Sequence, residues 1–198
     1  MYTEDLADAL IARSGGVVDA TKLQKLMYYA NAWHLAIVAD PLVRLPFRAW
    51  TFGPVMEVTW HKRQDPASRD PRNCSSPRLD PFTERLLDMV VAEYGHRSSG
   101  ELSAMTHAES PWLLARGDTP VDEPSRQIIE SSVIAEHYRR MHELCGYRAS
   151  ELAVLGLPDG DEDQHLPSAV PEPTPIADLP DDEWGGANLF VLPGSQAR

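Results

Sequence analysis

Histidines and carboxylates are the residues of this sequence that could do acid–base or metal chemistry, and seven histidines are present. His107 and Glu109 lie two positions apart, so on a helix their side chains diverge by about 200°. His137 and His142 are five positions apart and miss the i, i+4 spacing of a helical metal pair. The sequence contains neither a G-x-S-x-G motif nor a lysine that follows a glycine-rich phosphate loop. We therefore predict a non-enzymatic protein without a catalytic residue, a metal or a cofactor.

The segment TKLQKLMYYANAWH, residues 21–34, carries polar side chains on an otherwise apolar helix. Gln24 and Asn31 are seven positions apart and lie on the same side, and His34 lies within about 80° of them. We interpret this stripe as a buried hydrogen-bond network that fixes how the helices pack. A ligand site is the alternative that the sequence leaves open.

Two lysines, Lys22 and Lys25, lie three positions apart near the start of the same helix. Cations gain nothing from the helix dipole at this end. Their position therefore indicates pairing with acids, either elsewhere in the chain or on a partner. A solvated helix end without a binding role is the alternative.

Four of the tryptophans fall into two groups by the role that we expect for them. We expect Trp50, Trp60 and Trp112 to pack in the core, with their indole N–H groups bonded to backbone carbonyls. Trp184 lies outside any plausible core. An exposed tryptophan of this kind is a candidate hot spot of a protein interface.

Apolar spacing and capping residues predict the helices that hold these residues. The predicted helices cover residues 4–13, a long segment capped by Thr21, residues 54–63, residues 82–94, a segment from the Ser98 capping box to Pro111, and a segment from a Ser132 cap to Cys145. The long segment has apolar residues around most of its circumference, so we expect it to be buried on more than one side.

Two short segments have the alternation of strands. Residues 48–52 form the first, and Gly53-Pro54 is expected to end it and to start a helix. RQIIE, residues 126–130, is the second. The sequence thus predicts a mainly α, single helical domain of about six helices with a small two-stranded β element, in residues 1–150. Residues 64–81 form a polar connection of 18 residues, and a connection of this length is typically functional or mobile.

Charge is distributed unevenly along the 198 residues. Residues 1–150 contain 20 acidic and 17 basic side chains, whereas residues 151–198 contain 10 acidic and one basic. An acidic protein is repelled by phosphate backbones, so nucleic acid is a poor ligand and a basic protein surface is a better one. Cys74 and Cys145 are far apart and indicate neither a disulfide framework nor a zinc site. The acidic start of the chain and the lack of a long apolar run predict a cytoplasmic protein without a membrane span.

The segment 151–198 is acidic and rich in proline. It holds too little apolar surface to offset the entropy of ordering, so we predict a tail that is disordered when alone. Apolar residues return within residues 183–193, where Trp184, Leu189, Phe190 and Leu192 form a candidate partner-binding segment. A solvated tail without a role is the alternative.

Three sequence blocks together resemble a known family. They are KLQKLMYYANAWHLA, FRAWTFGPVMEVTW and LSAMTHAESPW, in this order along the chain. The blocks resemble the Panacea domain, also called SocA-like, of bacterial and phage proteins. The residues that carry the motif, which we interpret as mainly structural, are Lys22, Leu23, Gln24, Lys25, Leu26, Tyr28, Trp33, Trp50, Gly53, Pro54, Val55, Thr106, His107, Glu109, Pro111 and Trp112.

The resemblance implies a mostly helical antitoxin that binds and neutralises a protein toxin encoded by an adjacent gene. We expect Lys22, Lys25 and the apolar residues of the tail to be candidate toxin contacts. The resemblance also implies an alternative, since some members are adaptors that deliver the toxin to a cellular protease. A DNA-binding autorepressor is a third hypothesis, which the acidic net charge and the lack of a basic helix stripe disfavour.

Overall fold

A computed structural model describes residues 1–145, with side chains through residue 141, and this part of the chain is mainly helical. The elements are α1 (Thr3–Arg13), α2 (Ala20–Val38), β1 (Phe47–Trp50), β2 (Gly53–Val55), α3 (Glu57–Lys62), α4 (Pro81–Tyr94), α5 (Ser99–His107), α6 (Ser110–Arg116), β3 (Ile128–Ile129) and α7 (Ser131–Cys145). The predicted mainly α fold is confirmed. In the described residues there are seven α-helices and three strands, against about six and two predicted.

The long helix α2 forms the centre of the domain. Twelve of its 19 residues are buried, which confirms that it is covered on more than one side. Helices α1, α4, α5 and α7 all pack against it. The predicted Thr21 cap is wrong, because the side chain of Asp19 accepts from the backbone N–H of Lys22 at 3.0 Å and the helix begins at Ala20.

The three strands form one antiparallel sheet in the order β2-β1-β3. Trp50 is paired with Gly53, so a tight turn at residues 51–52 joins β1 to β2. The prediction that Gly53-Pro54 ends the strand and starts a helix is wrong, because both residues belong to β2 and α3 begins at Glu57. Pro54 is tolerated there because β2 is an edge strand. The predicted RQIIE strand is present as β3, with Ile129 opposite Phe47.

The segment from Ser98 to Arg116 forms two helices where one was predicted. The Ser98 capping box is confirmed, with the Ser98 side chain accepting from the backbone N–H of Glu101 and the Glu101 side chain accepting in return. Helix α5 ends at His107, and Pro111 lies in the first turn of α6 instead of terminating a helix. Proline fits this first turn because its missing N–H would have no partner within the helix. The last helix begins at Ser131, so Ser132 lies inside it and is not its cap.

The connection at residues 64–81 packs against the domain. It contains two short 3₁₀ helices, Pro66–Arg69 and Pro71–Asn73. Arg69 is buried and donates through Nη1 to the carbonyl of Val18 at 2.7 Å. The backbone N–H of Ser75 donates to Asp8 at 2.9 Å, which fixes the connection to α1. No helix within residues 1–145 combines the length and the apolar composition needed to cross a bilayer.

Candidate functional site

Lys25 anchors the β1–β2 hairpin to α2. Its side chain has no exposed surface, and Nζ donates to the carbonyl of Pro54 at 3.0 Å. Gly53 lies against the same ammonium group with φ of +95°. A Cβ at this position would lie 2.5 Å from Thr106 Oγ1 and 2.9 Å from Lys25 Nζ. Helices α2 and α5 therefore enclose the hairpin so closely that only glycine fits.

Burial lowers the pKa of Lys25 to about 7, and the nearby carboxylate of Asp19 opposes this decrease only in part. Near neutral pH a large share of the amine is therefore uncharged. A neutral amine still donates to the Pro54 carbonyl. The group thus acts as a buried hydrogen-bond donor inside the domain.

The predicted polar stripe of α2 forms hydrogen bonds to the backbone of the segment that follows the helix. Gln24 Oε1 accepts from the N–H of Met56 at 2.8 Å, and Asn31 Oδ1 accepts from the N–H of Val43 at 3.3 Å. His34 Nδ1 lies 2.6 Å from the carbonyl oxygen of Asp40. The stripe is therefore a structural network, and it holds the hairpin and the segment after α2.

Glu109 is the centre of a second buried polar cluster. Its carboxylate accepts from the hydroxyl groups of Tyr28 at 3.3 Å, Tyr29 at 3.1 Å and Tyr138 at 2.9 Å. The three tyrosines are almost completely buried. We call these four residues the Glu109 cluster. It connects α2 and the start of α6 to α7.

Burial raises the pKa of Glu109 to about 7, although the three hydroxyl donors each lower it. Burial and the Glu109 carboxylate in turn raise the pKa values of Tyr28, Tyr29 and Tyr138, so these phenols stay protonated. Each of them can therefore donate to the carboxylate. The arrangement keeps the carboxylate buried but fully bonded, which is how proteins tolerate such a group.

Aromatic packing surrounds the Glu109 cluster. The ring of Tyr29 stacks on that of Tyr94 with centroids 3.9 Å apart and planes within 3°. Trp33 donates through Nε1 to the Tyr94 hydroxyl at 3.1 Å, and its ring meets that of Tyr138 edge-on at 5.2 Å. These contacts fix α4 and α7 to α2.

Helix α6 holds the other side of the hairpin. Trp112 donates through Nε1 to the carbonyl of Trp50 at 3.0 Å, as predicted for this indole. Arg116 is buried, with its guanidinium carbon 4.8 Å from the centre of the Trp112 ring. Its Nη1 donates to the carbonyl of Ala49 at 3.1 Å. The ring of His107 stacks on the Trp112 ring, with the two centroids 4.1 Å apart. The other two tryptophans expected in the core, Trp50 and Trp60, are only half-buried.

One hydroxyl–imidazole pair is present, between Ser110 Oγ and His137 Nδ1 at 2.8 Å. Burial and the nearby Arg140 lower the pKa of His137. No carboxylate within residues 1–141 is bonded to this imidazole, so the pair lacks the third group of a nucleophilic triad. Nor do the described residues include a group of three potential metal ligands. The pair serves to join α6 to α7.

Sequence reasoning did not single out several residues that organise the domain. Tyr138 was assigned only to a helix, Arg116 was assigned to a turn-rich stretch after the helix that Pro111 was expected to end, and Arg63 was treated as a helix end. Arg63 binds Asp8 at 2.7 Å and Glu4 at 2.8 Å, so it ties α3 to α1. Because these partners lie 55 or more positions away along the chain, no local spacing could have indicated them.

The comparisons with known proteins give one family. The family model described as "Antitoxin SocA-like, Panacea domain" matches residues 23–113. Residues 23–113 are therefore similar to the SocA-like Panacea domain. Comparison with the curated proteins and with the solved structures gives no significant match.

The matched residues run from α2 into α6 and include the hairpin and α5. It therefore contains both the Lys25–Gly53 anchor and the carboxylate of Glu109. The residues that carry the motif lie where α2, the hairpin and α6 pack together. Tyr138 and Arg116 lie after the matched residues.

Of the residues that were candidates for toxin contact, the two lysines lie within the described part of the chain and the tail residues lie outside it. Lys25 is completely buried in the helical domain and has no surface with which to contact a partner. Lys22 donates through Nζ to the carbonyl of Gly95 at 2.5 Å, at the end of α4. Within the described residues both lysines donate to backbone carbonyls, and the acid near Lys25 is Asp19. Trp184, Leu189, Phe190 and Leu192 lie outside the described residues.

Proposed function

We propose that this chain is an antitoxin that neutralises a cognate protein toxin by direct contact. The observation that carries the proposal is the match of residues 23–113 to the SocA-like Panacea antitoxin family. Membership of an antitoxin family implies a toxin as the partner in general. The gene adjacent to this one is the proposed source of that toxin.

The geometry supports a scaffold for binding in preference to a catalyst. The two buried ionisable groups at the centre of the domain are held by the backbone or by other side chains, Lys25 by the Pro54 carbonyl and Glu109 by three tyrosines. Groups used in this way are unavailable to a substrate. We therefore assign Lys22 and Lys25 to the scaffold, and toxin contact to the outer surface of the domain and to the tail.

The tail enters as a further part of the proposal. We take residues 1–150 as the antitoxin domain and residues 151–198 as an acidic segment that supplements it. In this proposal Trp184 and the apolar residues Leu189, Phe190 and Leu192 contact the toxin, and the acidic residues face basic groups on it.

The test is co-expression with the product of the adjacent open reading frame. Growth should be inhibited by that product alone and rescued by this chain, and the two proteins should co-purify. A neighbour protein that is harmless and does not bind would contradict the proposal.

The lifetime of the toxin separates blocking from delivery to a protease. A stoichiometric blocker leaves the half-life of the toxin unchanged or longer, because the complex is stable. Rescue accompanied by loss of the toxin, and abolished when a cellular protease is deleted, would replace the blocking mechanism with that of an adaptor.

A further inference from the structure

Exposed apolar side chains gather around α6. Phe52 is 58% exposed, Leu113 47%, Leu114 68% and Val121 58%. With the acidic residues Asp118, Asp122 and Glu123, which are also exposed, these side chains form what we call the α6 face. Large apolar side chains that stay in water on neighbouring elements commonly mark an interaction surface.

Hydrogen bonds from Arg116 hold the parts of this face together. Its Nη2 donates to the carbonyl of Glu123 at 2.6 Å and also to that of Pro120. Val121 lies between these two carbonyls in the chain. The same guanidinium donates to Ala49 in β1. The loop after α6 is therefore fixed to the hairpin and does not depend on a partner for its position.

The tip of the hairpin belongs to the same surface. Thr51 Oγ1 donates to the carbonyl of Glu123 at 3.3 Å, so the residue before Phe52 contacts the loop directly. On α6, Leu114 lies about 200° from Trp112, which is buried, and so points away from the core. The exposed apolar groups thus come from three elements that are bonded to one another.

The charged side chains of the loop after α6, up to Ser125, all have the same sign, and the exposed Arg126 follows them. Residues 117–125 contain Asp118, Asp122 and Glu123 but no lysine or arginine. Arg116 is only 4% exposed, so its positive charge contributes little at the surface. A protein surface with an apolar centre and an acidic border is complementary to a cationic segment that carries apolar side chains.

We propose that the α6 face is the surface on which the protein partner docks, and that the partner contributes a cationic, apolar-anchored segment. This inference rests on the proposed function and names the surface that performs it. Most of the face lies outside the matched family range, which ends at Leu113.

The test measures the affinity of the full chain for the purified product of the adjacent open reading frame. Val121→Lys is compared with Val17→Lys, because these valines are 58% and 57% exposed and Val17 lies in the connection between α1 and α2. Lysine in the centre of the face should repel a cationic segment and weaken binding about tenfold or more. Val17→Lys should leave the affinity unchanged. Urea unfolding of both variants shows that they fold.

A second variant, Leu114→Lys, is measured in parallel and decides the result if Val121→Lys does not fold. Normal affinity of the folded variants, with rescue by the wild-type chain, would overturn the α6 face and leave the antitoxin function intact. A wild-type chain that neither binds nor rescues would overturn both. Binding by the wild-type chain that weakens with rising salt concentration supports the cationic segment, and salt-independent binding contradicts it.

Discussion

At the scale of the residue, the domain depends on a few ionisable side chains that lie in the interior and are bonded there. Lys25 and Glu109 each have a pKa of about 7, one lowered and the other raised by burial. Each is compensated by specific partners, since an unpaired polar group in such a place costs several kcal/mol. Their burial makes these residues sensitive reporters of the fold.

Glu109 should make the stability of the protein fall as the pH rises. Its pKa is about 7 in the folded chain against an ordinary value of 4.5, so the folded state holds the proton more tightly. The stabilising contribution of Glu109 is fully present below pH 4.5, and it is lost as the pH rises to about 7. We expect the free energy of unfolding of the wild type to lose on the order of 1–3 kcal/mol through Glu109 across this interval.

The variant Glu109→Gln isolates this effect, because its amide does not titrate. Urea unfolding at several pH values should show that the difference between wild type and variant changes across the interval. Lys25 acts in the opposite direction between about 7 and its ordinary value of 10.5, where stability rises with pH. A wild-type–variant difference that is constant from acid to neutral pH would show that Glu109 is not buried in this way.

Gly53 should tolerate no side chain. In Gly53→Ala the new Cβ would meet Thr106 Oγ1 at 2.5 Å, and the backbone has φ of +95°. We expect a loss of at least about 2 kcal/mol in the free energy of unfolding, from steric overlap and backbone strain. Gly100→Ala is the matched control. Its Cβ would have only Ser98 Oγ at 4.0 Å within reach, and alanine favours a helix, so a neutral or stabilising result is expected.

At the scale of the element, helix α2 determines how the other elements assemble. Its N-terminus is defined by Asp19, which accepts from Lys22 N–H at 3.0 Å. Asp19→Ala should therefore lower the free energy of unfolding by about 1 kcal/mol, which is typical for a lost cap. Thr21→Ala, at the cap position predicted from the sequence, should change it by only a few tenths. Equal effects in thermal or urea unfolding would contradict this boundary.

The sequence predicted elements well where the determinants are local. The apolar periodicity of α1, α2 and α4 and the Ser98 capping box indicated helices that are present. The division between α5 and α6 was missed because Pro111 can end a helix or start one, and local sequence does not distinguish the two. Gly53-Pro54 was misassigned because its conformation depends on Lys25 and Thr106, which lie far away in the sequence.

The candidate site was predicted only in part. The polar stripe of Gln24 and Asn31 was correctly interpreted as structural, because polar groups inside an apolar helix need partners. The depth of Lys25 was not predicted, since lysine is rarely buried without a counter-charge. The Glu109 cluster was also missed, because three tyrosines from two distant segments meet there only in the folded chain.

At the scale of the whole molecule, an acidic chain carries a helical domain in which residues 23–113 match an antitoxin family model. In our proposal the toxin contacts the α6 face of the domain and also the tail, residues 151–198. A truncation that ends at Leu155 tests the tail. We expect the truncated chain to show the same unfolding midpoint as the full chain but weaker neutralisation of the neighbour toxin. Full rescue at equal protein levels would remove the tail from the mechanism.

Direct binding is the central claim, and co-purification of this chain with the product of the adjacent open reading frame tests it most directly. We predict a stable complex from cells whose growth the chain rescues, with the toxin still present at an undiminished level. Rescue without a complex, or with disappearance of the toxin, would contradict neutralisation by direct contact.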